Sequence, residues 1–455
     1  MNTLDPLLHE RARIAVVGAG IAGLGAAWAL RDVHDVTLFE AEDRLGGHAN
    51  TVTIDYDGRP IDVDTGFIVF NTENYPNLTA LFEHLGVDSF RSDMSFGFSL
   101  GPELEWCSNG LKGLFAQPAN LFRPRFLGML REILRFNRLA PRDLESGALR
   151  GLSLNDYLDQ AGFGARFREY YLLPMGAAIW SSTEADMAGY PAEAFVRFFK
   201  NHRLMNMKRP KWRTVIGGSR TYVRRIADDL KAAGVETAPA ARSVRRIGGG
   251  VAITDADGRT RRFDEVILAC HSDQALKLLA DADYEEREFL GAIPYAPNEA
   301  VLHRDQSLLP RREAARAAWC YLREGDRENA AVTYDMNRLQ GIDGDCPLFV
   351  TLNPSRQPEP ALTFARFEYD HPQFTAAGMA AQRIFNRIQG VRNTWFAGAW
   401  LGYGFHEDGL RSGLRAALKL GGRIPWDFVE GDIDGGGFGA RLENDHHAAL
   451  MTAAE

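Results

Sequence analysis

The stretch that decides the fold is Ile14-Ala-Val-Val17, followed by Gly18-Ala-Gly20-Ile-Ala-Gly23 and the run Leu24-Gly-Ala-Ala-Trp-Ala-Leu30. Four apolar residues ahead of a glycine cluster predict a short buried strand, and the apolar run after it predicts a helix. Strand, glycine turn and helix in that order make a dinucleotide-binding unit. Gly18 allows the tight turn, Gly20 lets the backbone approach a pyrophosphate, and Gly23 lets the helix pack close on the strand. The first helical residues, Ile21 and Ala22, then turn their end of the helix toward the phosphates. A second strand, Val36-Thr-Leu-Phe39, ends at Glu40 beside Ala41. An acid at that spacing accepts hydrogen bonds from ribose hydroxyls and disfavours a 2′-phosphate.

Around this unit, 455 residues exceed what one hydrophobic core serves, which predicts two intertwined domains. Hydrophobic content of 45% and charged content of 25% describe a soluble globular chain rather than a disordered or membrane-embedded one. Ile14–Leu30 is the longest uncharged apolar run, but it is short for a membrane span and its glycines serve the turn. Cys107, Cys270, Cys320 and Cys346 are too far apart for a zinc or thioredoxin-like motif, so no metal site is expected. Met1–Arg13 lacks the apolar core of a secretory signal, which makes the expected compartment cytoplasmic.

Arg44-Leu-Gly46-Gly47-His48 follows Glu40, and Trp395-Phe-Ala-Gly398 leads through Gly402-Tyr-Gly-Phe-His-Glu-Asp-Gly409 into a helix beginning at Leu410. With these segments the chain resembles the superfamily of flavin-containing amine oxidases, phytoene desaturases and protoporphyrinogen oxidases. The resemblance implies a mixed α/β fold: a Rossmann-like FAD-binding domain of the amine oxidase type and an α+β, discontinuous substrate domain. It implies that Gly46, Gly47 and His48 pass beside the FAD pyrophosphate, that Arg44 supports the adenosine side, and that Val244 meets adenine through its backbone. Gly398, Glu407, Asp408, Gly409 and Leu410 would close over the flavin, where a helix N-terminus stabilises negative charge on its reduced form. Ala399 stands where many such proteins carry an aspartate, and no cysteine near Tyr403 could tether the flavin, so FAD is expected to be non-covalent. No second glycine fingerprint is found for NADPH, which leaves oxygen or another acceptor to reoxidise the flavin.

The motifs assign residues 1–75, 214–290 and 391–428 to the FAD domain, 76–213 and 291–390 to the substrate domain, and 429–455, with His446 and His447, to a mobile tail. Charge is uneven between them. Leu111–Arg142 carries seven Lys or Arg against the single acid Glu132, and Phe195–Arg213 carries seven and no acid, in a chain of net charge −8. A helix between Pro124 and Pro141 would align Arg131, Arg135 and Arg138 opposite Phe126, Met129, Leu130, Ile133 and Phe136. Phe195, Phe198 and Phe199 interleave with Arg197, Lys200 and Arg203, and Met205 and Met207 follow among Lys208, Arg209 and Lys211. Such interleaving suits anionic phospholipid headgroups, and no nucleic-acid module accompanies it. The expected location is therefore cytoplasmic and peripheral, on the inner membrane face.

Tyr75-Pro-Asn77, Pro174-Met-Gly-Ala-Ala-Ile-Trp-Ser181, Trp212-Arg-Thr-Val-Ile-Gly-Gly-Ser219 and Gly404-Phe-His-Glu-Asp-Gly409 resemble a bacterial subgroup linked to cyclopropane-fatty-acid-synthase-like methyltransferases. That subgroup includes desaturases of methyl-branched phospholipid acyl chains on the route to furan fatty acids. The resemblance implies a phospholipid acyl substrate, with a methyltransferase as a possible partner. Hydride removal from an acyl carbon needs a flavin beside it and a group to take the second hydrogen as a proton. Glu299, His303 and His406 are the candidate bases, and Met175, Trp180 and Tyr403 are candidates to line an apolar channel. Two rival readings remain: a soluble amine oxidase, and a non-catalytic flavin-binding lipid partner of a methyltransferase.

Overall fold

Ile14, Ala15, Val16 and Val17 are all buried, as a strand covered on both faces requires. In the computed structural model, which describes residues 11–206, 210–323 and 331–431, the strand Arg13–Val17 lies at the centre of a parallel sheet. Asp35–Phe39 pairs with it on one side and Glu265–Leu268 on the other. Glu236–Ala238 and Thr394–Phe396 form the two edges. Residues 1–10, Met207, Lys208, Arg209, His446, His447 and the tail beyond residue 431 lie outside the described residues.

Five strands drawn from three distant segments thus make one sheet. Two boundaries differ from the motif-based division. The helix Pro76–Leu85 buries Leu78, Leu81 and Phe82 in the same core as the first helix, Ile21–Leu30, so it belongs with the dinucleotide side. Ala381, Phe385 and Ile388 likewise pack with Phe396 beneath the parallel sheet. Neither segment carries a motif; each is recruited because an apolar sheet or helix face must be covered.

The second domain is a seven-stranded sheet in the order Thr363–Pro372, Tyr295–His303, Phe349–Leu352, Ala331–Asp335, Trp319–Leu322, Phe96–Ser99, Glu105–Cys107. Its pairings are antiparallel except that Trp319–Leu322 runs parallel to Phe96–Ser99, the seam where the two insertions join. Helices Pro124–Ser146, Leu173–Trp180 and Ala192–Asn201 share its core. Pro124–Ser146 buries Phe126, Met129, Phe136 and Ala140, and it continues past Pro141 until Gly147 ends it at φ 79°. Among the described residues no helix is long and apolar enough to cross a membrane.

A buried carboxylate ties the pieces together. Asp64 accepts from Thr51 Oγ1 at 2.6 Å, from the Ser219 amide at 2.9 Å and hydroxyl at 2.7 Å, and from Gln340 Nε2 at 2.9 Å. Burial pushes its carboxyl up to about 6.

Candidate active site

The glycine turn is built by three different constraints. Gly18 has φ +101°, and a Cβ there would meet Ala269 O at 2.7 Å. A Cβ on Gly23 would fall 1.8 Å from Gly18 O, so only glycine brings the first helix this near the strand. A Cβ on Gly20, by contrast, would meet nothing within 4 Å, so the turn is open on that side. Gly20 caps the helix Ile21–Leu30 without any side-chain acceptor, and no acid sits in the first turn. The N-terminal end of the helix, including Ile21 and Ala22, is thus left to an outside anion.

Gly46 and Gly47 run alongside this turn. Gly46 bridges Gly20 and donates its N–H to Ala19 O at 2.8 Å. Arg44 props the loop from its outer side through an ion pair with Glu42 at 2.9 Å and a bond to Ala49 O at 3.4 Å. Glu40, at the end of its strand, accepts from Ala19 N at 2.6 Å, Ala41 N at 2.6 Å and Glu42 N at 2.9 Å. Its carboxylate is therefore fixed at the turn, where ribose hydroxyls would compete for it. Val244 is fully buried in the strand Ala241–Ile247, with its carbonyl accepting from Ala280 N at 3.0 Å.

The last helix, His406–Lys419, begins beside the first. A Cβ on Gly413 would lie 2.0 Å from Ala22 O, and one on Gly409 would lie 3.0 Å from Ile21 Cγ2. Leu410 is buried against Gly25, and Gly398 donates to Ser412 Oγ at 2.8 Å. Two helix N-termini are thereby brought side by side, and their partial positive charges converge on one region.

The side chains of Glu407 and Asp408 correct the expectation that they serve the cofactor. Glu407 accepts from Asn77 N at 3.0 Å, Asn77 Nδ2 at 2.7 Å and Leu78 N at 2.9 Å, so it caps the helix Pro76–Leu85 from another element. Asp408 accepts from Tyr403 N at 2.9 Å and Phe405 N at 3.0 Å and pairs with Arg411, which folds the 402–405 loop.

His406 Nε2 meets Tyr222 OH at 2.5 Å, and its ring stacks on Phe67 at 3.8 Å. Burial lowers it to about 3, so it is neutral and a weak base. The other two candidate bases are placed elsewhere. Glu299 is paired with Arg366 at 2.5 Å and accepts from Gln357 at 3.0 Å; these hydrogen bonds hold its carboxyl below the usual range. His303 is fully buried, bonded to Thr351 Oγ1 at 2.7 Å, and held at about 4 by burial. It stands eight residues along its strand from Tyr295, roughly 26 Å at a strand's rise. Both are held by partners within the sheet or beside it.

A cluster that the sequence reading missed lies beside Gly47. His48 approaches His271 at 6.0 Å, His371 at 5.5 Å and Tyr369 at 5.1 Å between ring centroids, and His271 stacks on Tyr295 at 4.4 Å. Burial lowers all three histidines, His371 to about 4. His271 Nδ1 and His371 Nδ1 are buried without a protein partner. His271 lies three residues past the parallel strand Glu265–Leu268, at the carboxyl end where such sheets bind ligands, and that position could have flagged it. His371 carries no comparable signal.

On the substrate side, Trp180 donates to Tyr403 O at 3.3 Å and packs on Phe198 at 4.6 Å, and Phe198 stacks on Phe405 at 5.0 Å. Met175 and Phe199 are buried in the same core. Phe198 and Phe199 are thus interior rather than membrane-facing, since their ring faces are covered by Phe195, His202 and Phe405. The basic residues around them are also neutralised: Arg197 pairs with Glu193, Lys200 with Glu145 and Arg203 with Glu73. Arg135 is spent too, over the Phe163 ring at 4.5 Å and on the carbonyls of Ala161 and Gly162. Arg131 and Arg138 remain exposed.

A glycine turn open at Gly20, an acid at the end of the second strand, a first helix with no side-chain cap or first-turn acid, and two orphaned imidazole nitrogens fit FAD, and they define a flavin-dependent oxidoreductase. Residues 21–304 match the model of the flavin containing amine oxidoreductases. The chain belongs to that family, with FAD as its cofactor.

Individual relatives are more distant. The carotenoid phi-ring synthase of Streptomyces griseus is 27% identical over 320 residues, covering 60% of this chain and 56% of that protein. Tryptophan 2-monooxygenase of Pantoea agglomerans pv. gypsophilae is 41% identical over 87 residues, 18% of this chain and 15% of that one. The matches thus span 56% and 15% of these two relatives' length. Among solved structures, putrescine oxidase bound to putrescine has a TM-score of 0.65 at 17% identity, covering 90% of this chain and 99% of that one. A CLA-producing fatty acid isomerase from P. acnes has a TM-score of 0.63 at 15% identity, covering 91% and 100%. At these identities they establish the fold.

Proposed function

We propose that this oxidoreductase dehydrogenates a methylated or unsaturated fatty acyl chain of a membrane phospholipid. The observation that carries this reading is the chemistry around the start of the last helix. Trp180, Phe198, Tyr403 and Phe405 make an aromatic, apolar wall there, while both nearby carboxylates, Glu407 and Asp408, are consumed by backbone amides. A hydrocarbon chain meets such a wall without desolvation cost, whereas an amine finds no uncommitted acid among these residues.

Bound at the turn, FAD would supply the two-electron acceptor for the hydride removed from the acyl carbon while the neighbouring carbon gives up a proton to form the C=C bond, and oxygen or another acceptor would reoxidise it. The protein's own part is to hold the pyrophosphate at Gly20 and the first helix, to hold the ribose at Glu40, and to exclude water with the aromatic wall. Proteins similar to this chain include a CLA-producing fatty acid isomerase and a probable zeta-carotene desaturase on one side and an L-amino-acid oxidase on the other. The furan fatty acid route and a methyltransferase partner remain part of the proposal.

The test is anaerobic bleaching of the flavin. Rapid loss of colour with phospholipids bearing methyl-branched or unsaturated chains, and none with putrescine or amino acids, is the expected result. Bleaching by amines alone would replace this reading with an amine oxidase. No bleaching by any of them would favour a non-catalytic flavin-binding partner.

A further inference from the structure

Half of the exposed large apolar side chains among the described residues come from one short stretch of the chain. Leu111, Leu121, Phe122, Leu127 and Leu134 are all exposed, Phe122 by 85%, Leu111 by 75% and Leu134 by 66%, and all fall within 24 residues of sequence. The helix Pro124–Ser146 is thus apolar on two sides. Phe126, Met129 and Phe136 face the core, while Leu127, Arg131, Leu134 and Arg138, spaced by three or four residues, share the outer side. A helix that only covers a core would carry polar residues at 127 and 134.

The charges beside this crest are free. Lys112, Arg125, Arg131 and Arg138 are exposed and make no ion pair among the described residues. The one acid between Leu111 and Arg142 in sequence, Glu132, accepts the Gly164 amide at 2.7 Å. Pairing of two copies across a two-fold axis would set this cationic face against itself, and cores of protein interfaces are depleted of charge. Apolar side chains interleaved with unpaired Lys and Arg match the headgroup zone of an anionic bilayer, where the hydrocarbon enters and the cations meet phosphate.

We infer that the crest formed by Leu111, Leu121, Phe122, Leu127 and Leu134, ringed by Lys112, Arg125, Arg131 and Arg138, inserts into the surface of an anionic membrane. This rests on and deepens the acyl-chain reading, because the helix that carries Leu127 and Leu134 shares its core with the aromatic wall. Insertion here is chiefly apolar, with the arginines as anchors.

The experiment uses the full FAD-loaded chain with vesicles of phosphatidylcholine alone or mixed with phosphatidylglycerol. Wild type should sediment with the mixed vesicles and hardly with phosphatidylcholine. The triple variant F122S/L127S/L134S should bind at least ~100-fold more weakly, and R131E/R138E at least ~20-fold more weakly. All five positions are exposed, so FAD content should not change. Phe122→Trp should give indole fluorescence that brominated acyl chains quench. No vesicle binding at low salt, binding indifferent to the triple variant, or an indole at position 122 that the brominated chains leave unquenched would each overturn the inference. So would a dimer in solution that the triple variant converts to monomer. Oxidation of detergent-dispersed phospholipid without vesicle binding would sink the docking surface alone, and vesicle binding without flavin bleaching would sink the functional reading alone.

Discussion

Replacing Glu407 with alanine separates two roles that one carboxylate could have. Its oxygens accept two backbone amides and one side-chain amide at the start of the helix Pro76–Leu85, whose own N-cap, Tyr75, offers no side-chain acceptor. Glu407→Ala leaves the Asn77 and Leu78 amides without a partner and Asn77 Nδ2 with Val429 O alone. Each unsatisfied donor costs about 1–3 kcal/mol and a lost cap about 1 kcal/mol; these overlap, and water entering the space recovers part, so about 3–5 kcal/mol is expected. Glu407→Gln keeps one acceptor oxygen and should lose roughly half as much. Urea unfolding followed by tryptophan fluorescence measures both, with FAD affinity titrated on the folded proteins. Burial lifts the folded carboxyl from 4.5 to about 7. Wild type's advantage over the alanine variant is therefore fully present below pH 4.5 and shrinks as pH rises toward 7. An alanine variant as stable as wild type that fails to retain FAD would refute the capping role and return the carboxylate to the cofactor.

Denatured protein should release its FAD into the supernatant. Burial pushes the Cys270 thiol, near the cofactor turn, up to about 12, so it stays protonated and unreactive; colour retained in the precipitated chain would show a covalent link. Glu40→Ala should weaken FAD binding by ~1–3 kcal/mol through loss of the ribose bonds, with the fold intact by circular dichroism. Stability should fall as pH drops from 6.5 toward 4, because His202 and His303 are buried neutral at about 4 and must charge on unfolding. Each contributes about 2 kcal/mol by pH 5, and His303→Leu should remove one share of that slope in unfolding measured across pH.

The dinucleotide turn was legible from residues 14–40 because its requirements are local: strand length, glycine placement and one acid at a fixed distance. The cationic helix was legible as a helix, but not in which arginines stay free. Arg135 is taken by Phe163 and Ala161, which follow it by 28 and 26 positions, and no periodicity reports that. In sequence, Glu299 is a candidate through its resemblance to a flavin-facing position of the superfamily, and His303 through sharing its strand face; only the pairing of the sheet reveals that Arg366 and Thr351 hold them. The histidine cluster joins residues 48, 271 and 371 from three separate elements, and such a meeting is written in topology alone.

The parallel sheet takes its first strand from residues 13–17 and its last from residues 394–396, and the helix that follows at His406 completes the cofactor site. During synthesis at roughly 5–20 residues per second, this half-built sheet waits about 20–80 s for its closing edge. Throughout that time the emerging chain exposes an unpaired strand beside an apolar core, the condition that recruits chaperones. A chain cut short before residue 394 would carry the glycine turn and the acid at the end of the second strand, yet lack both the sheet's closing edge and the helix end that packs beside Ile21 and Ala22.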